Sequence, residues 1–284
     1  MNTKLIYWVF VISFCFAQSV CASSSPTEKA GKDSNTVAGQ KIVVSGSGDN
    51  QDLLFAAAKA MMGKNSGIQI EVPDSIGSAG GIKVLIAGKA DLARVARPLK
   101  DSEKALGLTQ QVFARTPVVF AVHPDVNGID NITTEQIIGV YSGKITDWSQ
   151  LGAKPGKIYP LTREQGDSAL RILNEMLPGF ADVNSLNTKV MYLTPEMVAA
   201  LREHKQTIGF VPLSAVVNTG LKVLKINGVE PSIKNVLSGE YKFLIPLGIA
   251  YKGQPQGLAK EFIDFLYSSD GQKIITAMGA VPTK

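Results

Sequence analysis

Apolar and polar positions change period repeatedly along this chain of 284 residues. KIVVSGSG (41–48) is a β-branched run ending in glycines, the pattern of a short strand entering a tight turn. DNQDLLFAAAKAMMGKN (49–65) opens with a capping residue and continues in Ala, Leu and Met, which predicts a helix. IQIEVPDS (68–75) returns to strand spacing and runs into a glycine-rich turn. GIKVLIAGKADLARVARPL (81–99) then predicts a helix, a turn and a short strand. This is the βαβαβ grammar of an α/β fold, a mostly parallel sheet flanked by helices. Its strand–glycine–helix junctions fall at the carboxyl ends of strands, where open α/β sheets take ligands.

The grammar recurs further on. VFARTPVVFAVHP (112–124) reads as two extended pieces, and TTEQIIGVYSGKITDWSQLG (133–152) as a helix, a turn and a second short helix. KIYPLTREQGDSALRILNEML (157–177) repeats strand, loop and helix, and TPEMVAALREHKQTIGFVPLSAV (194–216) gives a helix, a strand and a further segment. LKVLKINGVEPS (221–232) reads as a strand and turn. QGLAKEFIDFLYSSDGQKIITAMG (256–279) predicts one amphipathic helix, with Phe262, Phe265, Leu266, Ile274 and Ile275 on its apolar face.

Composition narrows the class. Hydrophobic residues make up 45% and charged residues 19%, enough apolar material in a chain this long for a sizeable core. The net charge of +5 helps gather anions, but it is small and evenly spread, so no nucleic-acid partner is expected. At the start, Lys4 precedes an apolar stretch (5–17), and Val20 and Ala22 provide small residues for a cut after Ala22. Residues 1–22 therefore read as a secretory signal peptide, removed on export. Its rivals are a membrane anchor, for which the apolar run is short, and lipidation at Cys21. Cleavage removes both cysteines, Cys15 and Cys21, and leaves a polar, flexible leader over residues 23–40.

Catalytic chemistry finds no support. His123 and His204, the only histidines, lie outside any H-E-x-x-H pattern. His123 precedes Pro124 and fits a turn, whereas His204 sits in a charged, solvated helical stretch. No Gly-x-Ser-x-Gly elbow appears, and GSGDN lacks the Lys-Ser/Thr ending of a phosphate-binding P-loop. The chain reads as a non-enzyme without metal or cofactor.

PDSIGSAGGIKVLIAGKADLARVARPLK (73–100), TPVVFAVHPD (116–125), YSGKITDWSQLG (141–152), LTREQGDSA (161–169), TIGFVPLSAV (207–216) and FIDFLYSSDGQKI (262–274) follow one another in an order that carries a resemblance. The chain resembles the phosphate-type periplasmic substrate-binding proteins of ABC importers, of the type II periplasmic-binding-protein-like family. The resemblance implies two α/β lobes joined by a two-strand hinge, 41–115 plus 213–284 and 116–212. It further implies a monomer that binds phosphate or a similar small oxyanion between the lobes and delivers it to a membrane permease.

The same resemblance implies the site. Its first loop corresponds to Ser47, Gly48 and Asp49, with Asp49 where the family carries Thr. Ser78, beside Ala79, stands where the family places a ligand-binding Ser. The third loop keeps Arg163 and Gly166 but reads Asp167, Ser168 and Ala169 where the family has Ser-Gly-Thr. Ionised Asp only accepts hydrogen bonds, so it repels a bare oxyanion yet can take the proton of a hydrogen phosphate. The family's proton-reading carboxylate has no counterpart in Arg94-Val95-Ala96-Arg97, so Asp49 or Asp167 takes that role, offset by Arg94, Arg97 and Arg163, or the ligand differs from phosphate. From the residues alone, Asp49 and Asp167 read equally as helix caps, Arg163 as a partner of Glu164 or Asp167, and Arg97 as a surface residue. Two further readings stay open: an accessory, sensory or surface interaction protein of the same fold, and an exported phosphoester hydrolase, for which no nucleophile is visible.

Overall fold

The first strand already begins at Gln40, where the apolar alternation of β1 (Gln40–Gly46) starts to pair with the next strand. The computed structural model describes residues 39–184 and 186–283; the expected signal peptide and nearly all of the leader lie outside them. From β1 the chain runs through α1 (Gln51–Lys64), β2 (Ile68–Glu71), α2 (Gly77–Ile86), β3 (Leu92–Val95) and the short α3 (Asp101–Lys104) into β4 (Leu108–Val122). The strand–helix alternation makes β1 parallel to both β2 and β3.

β4 is one strand of 15 residues rather than two extended pieces. Proline has no N–H for a ladder, and Pro117 is tolerated because it stands where β4 exchanges partners. Up to Pro117, β4 pairs with β11 (Leu244–Lys252), and from Val118 onward with β8 (Thr207–Pro212), both antiparallel. Between them come β5 (Asn131–Ile132), α4 (Thr134–Tyr141), β6 (Tyr159–Arg163), α5 (Ser168–Met176), α6 (Phe180–Val183), β7 (Lys189–Met191) and α7 (Thr194–Glu203). β6 is parallel to β7 and β8. The chain then forms β9 (Lys222–Val223), β10 (Lys225–Ile226), α8 (Ile233–Leu237), β11, α9 (Gly257–Tyr267), α10 (Ser269–Ala277) and β12 (Val281–Pro282). The strand order is β2-β1-β3-β11-β4-β8-β6-β7, with β9 and β12 added to β4.

The expected C-terminal helix is two. Ser268 breaks it in extended conformation, and its Oγ accepts from the N–H of Gly271 at 3.2 Å to start α10. The apolar face continues regardless: Phe262, Leu266 and Ile275 are buried in the core. Around β4 and β8 the core is aromatic. Phe120, Tyr141, Phe180 and Phe210 meet with centroids 5.0–6.5 Å apart, mostly edge to face. The Tyr141 hydroxyl donates to the Leu161 carbonyl at 2.8 Å, which fixes β6 and the residue that ends it, Arg163.

Candidate functional site

Where β1, β2, β6 and β7 end, the loops that follow enclose a cavity of about 460 Å3. Ser47, Gly48 and Asp49 line it from the β1–α1 loop, Ser78 and Ala79 from the first turn of α2, and Arg97 from beyond β3. Arg163, Asp167 and Ser168 line it from the β6–α5 loop. Ala169 does not line it; it is fully buried in the first turn of α5.

Helix starts dominate this cavity. The N-cap positions of α1 and α2 are Asn50 and Ile76, and neither caps its helix with a side chain. The Asn50 amide instead donates to the carbonyls of Val95 and Gly248, tying the loop to the sheet. The N–H of Gln51 goes to the Gly48 carbonyl at 3.3 Å and that of Gly77 to Ser75 Oγ at 3.4 Å, so the N–H groups that follow them in each first turn keep their bonding capacity, and the helix dipoles favour negative charge there. Ser47 Oγ accepts from the N–H of Asp49 at 3.2 Å, and Ser78 Oγ from that of Ala96 at 3.1 Å. Each hydroxyl thus retains its own proton for another acceptor.

Asp49 is not a cap. Its Oδ1 accepts from Thr194 Oγ1 at 2.6 Å, across 145 positions of sequence. Burial, then the negative charge of Asp167, push its carboxyl up to about 6; the Arg163 charge and the hydroxyls of Thr194 and Ser168 oppose this. Asp167 is both a cap and an ion-pair partner. Its Oδ1 accepts from the N–H of Leu170 at 2.9 Å, and its Oδ2 lies 2.9 Å from Arg163 Nη2. Arg163 Nη1 donates to Thr194 Oγ1 at 3.0 Å, and its buried Nε has no partner among the described residues. Two carboxylates and one guanidinium therefore share a desolvated space.

The other arginines divide differently. Arg97 lines the cavity, but Glu103 holds its guanidinium at 2.7 and 2.8 Å, and that pairing in turn keeps the Glu103 carboxyl below the usual range. Arg94 is fully buried behind the loops and donates to the carbonyls of Gly46 and Pro73. Burial lowers its guanidinium to about 10, against the charges of Asp52 and Asp74. His123 sits in a turn, its Nδ1 accepting from the N–H of Asp125 at 3.1 Å.

Thr194 escaped the sequence reading, along with Tyr192 and Leu193 beside it on the cavity wall. The available signal was TPE at a helix start. Glu196 there accepts from the N–H groups of Tyr192 and Leu193 at 2.7 and 3.3 Å, so the N–H groups leading into the helix are satisfied without the threonine hydroxyl. Among the described residues no group of three or more His, Cys, Asp or Glu side chains could hold a metal ion, and no helix is long and apolar enough to cross a membrane.

Known proteins share both sequence and architecture with this chain. Phosphate-binding protein PstS of Bacillus subtilis is 28% identical over 288 residues, spanning 99% of this chain and 94% of its own length. The PstS protein of Borreliella burgdorferi is 25% identical over 221 residues, 74% of this chain and 79% of its own length. A crystal structure from Clostridium perfringens, described as a phosphate ABC transporter substrate-binding protein with bound phosphate, superimposes with a TM-score of 0.75 at 28% identity, covering 86% of this chain and all of that one. An ABC-type phosphate transport receptor from Vibrio cholerae gives a TM-score of 0.58 at 25% identity, covering 85% and 99%. The α/β fold is that of these type II binding proteins. With the PBP superfamily domain matching residues 26–270, the chain belongs to the PBP superfamily of substrate-binding proteins.

Proposed function

We propose that this chain binds monohydrogen phosphate in the cavity and delivers it to the membrane permease of an ABC importer. The carrying observation is the meeting of uncapped helix starts and Arg163 with one buried acceptor, Asp49, at the ends of the strands. The N–H groups that follow Gln51 and Gly77 in the first turns of α1 and α2, and the hydroxyls of Ser47, Ser78 and Ser168, would take the anion's oxygens. Asp49 would accept the proton that hydrogen phosphate carries and sulfate lacks. Relatives named for phosphate binding, over nearly the full chain, support the same ligand.

The reading extends to movement and place. The lobes would be residues 41–115 with 213–284, and 116–212, hinged at β4 and the end of β8. The exchange of β4 partners at Pro117 favours this division, except that β9 and β10 pair with Ala121 and Val122 and with β5, so residues 222–226 go with the second lobe. Closure would expel water and strengthen each buried bond. The chain would act as a monomer in the periplasm after cleavage behind Ala22. Isothermal titration calorimetry of the dialysed mature chain tests the ligand. One-to-one heat with phosphate and none with sulfate is expected; silence toward phosphate refutes the proposal.

A further inference from the structure

We infer that Thr194 is a positioning residue that holds Asp49 as a pure acceptor and thereby sets the selection for a protonated oxyanion. The inference rests on the functional reading above and adds a residue that the resemblance did not supply.

The argument starts from bond polarity. A guanidinium has donors only, so the 3.0 Å contact from Arg163 Nη1 occupies a lone pair of Thr194 Oγ1. Thr194 has one hydroxyl proton, and its other close partner is Asp49 Oδ1 at 2.6 Å. The proton therefore lies toward Asp49, and that oxygen accepts. A carboxylate held this way has only acceptor capacity left for a ligand. A protonated Asp49 would instead be a donor, as suited to sulfate as to phosphate.

The packing serves this contact. Thr194 is buried at the start of α7, which comes close because Gly48 has no side chain: a Cβ there would lie 2.8 Å from Pro195 Cδ and 3.1 Å from Thr194 Cβ. The Asp49 backbone is pinned from the other side, its carbonyl accepting from Ser214 Oγ at 2.9 Å. The Thr194 hydroxyl is no helix cap: its partners are Arg163 and Asp49, while Glu196 takes the N–H groups that lead into α7. The charged groups bearing on Asp49 are Asp167, before α5, and Arg163, at the end of β6; Ser214 and Thr116, packed behind its backbone, are uncharged.

The experiment compares Thr194→Val with Thr194→Ser. Phosphate and sulfate binding are measured by calorimetry at pH 6 and pH 8, and thermal stability is followed against pH without ligand. Thr194→Val is expected to lose about tenfold or more in phosphate affinity at pH 8, as for a lost bond to a charged group. It should also bind sulfate more tightly than the parent does at pH 6, and the pH at which stability falls should move upward. Thr194→Ser should keep the parent's selectivity and pH profile. Unchanged selectivity and an unchanged pH profile in Thr194→Val overturn the inference, as does a serine variant that fails like valine. A parent chain that binds no phosphate defeats the functional reading instead, and the ligand-free pH profile then decides the part played by Thr194.

Discussion

Replacing Asp49 by Asn keeps the shape and the Oδ1 acceptor for Thr194 but removes the charge. In the folded protein the Asp49 carboxyl is raised from the ordinary 3.8 to about 6, chiefly by burial and secondarily by Asp167. The folded chain thus holds a proton between these values that the unfolded chain has released. A raised carboxyl contributes stability that is fully present below the unfolded value and is lost as pH rises through the folded one. Above about pH 6 the ionised, buried Asp49 costs about 3 kcal/mol relative to its neutral form. Asp49→Asn should recover up to that amount at pH 7.5 and nothing at pH 3.5. For a chain of this size about 1 kcal/mol moves the melting temperature by roughly 2–4 °C, so a rise of about 5 °C or more is expected at pH 7.5. Calorimetric melting of both proteins across this range, in phosphate-free buffer, provides the test. A variant no more stable than the parent at pH 7.5, or one equally more stable at every pH, refutes the reasoning.

Other perturbations follow from the same geometry. Arg163→Met leaves Asp167 and Asp49 without their buried cation and should destabilise by about 3 kcal/mol while abolishing phosphate binding, read by chemical denaturation and calorimetry. Gly48→Ala drives a methyl into Pro195, Ser75 and Thr194, so α7 must retreat; a cost of about 1–3 kcal/mol is expected, with weaker phosphate binding in titration. Ser78→Ala removes a hydroxyl whose proton is free for the ligand and leaves the Ala96 N–H without its acceptor; phosphate affinity should drop about tenfold, with melting only modestly lowered.

Much of the fold was legible because its elements carry local signals. The β1–α1–β2–α2–β3 run obeys strand and helix periods, and it folds that way except that most of the glycine-rich stretch read as a turn before residue 81 is the start of α2, which begins at Gly77. β11 was not foreseen: Pro246 and Gly248 interrupt its pattern, and the ladder shifts register between Leu247 and Gly248. It survives inside the sheet because β3 and β4 flank it, a tertiary fact that no short window of sequence contains. The break at Ser268 was readable in principle, since serine favours helix caps, but the continuous apolar face on both sides masked it.

The site divides along the same line. Glycine and serine loops at strand ends mark a cavity through local chemistry, and nine of the ten residues chosen from sequence line it. What those residues do depends on neighbours distant in the chain. Asp49 and a helix cap look alike in sequence, but the N-cap position of α1 falls on Asn50, and the Asp49 carboxylate instead meets Thr194, which approaches past Gly48. Asp167 needs no such partner: Arg163 stands four residues before it and Leu170 three after, so its two bonds are local. The two aspartates that replace hydroxyls are therefore not equivalent. Asp167 is engaged by its cap and by Arg163, whereas Asp49 is met by the hydroxyls of Thr194 and Ser168 and destabilised by burial, which leaves it the carboxylate able to respond to a proton on the ligand.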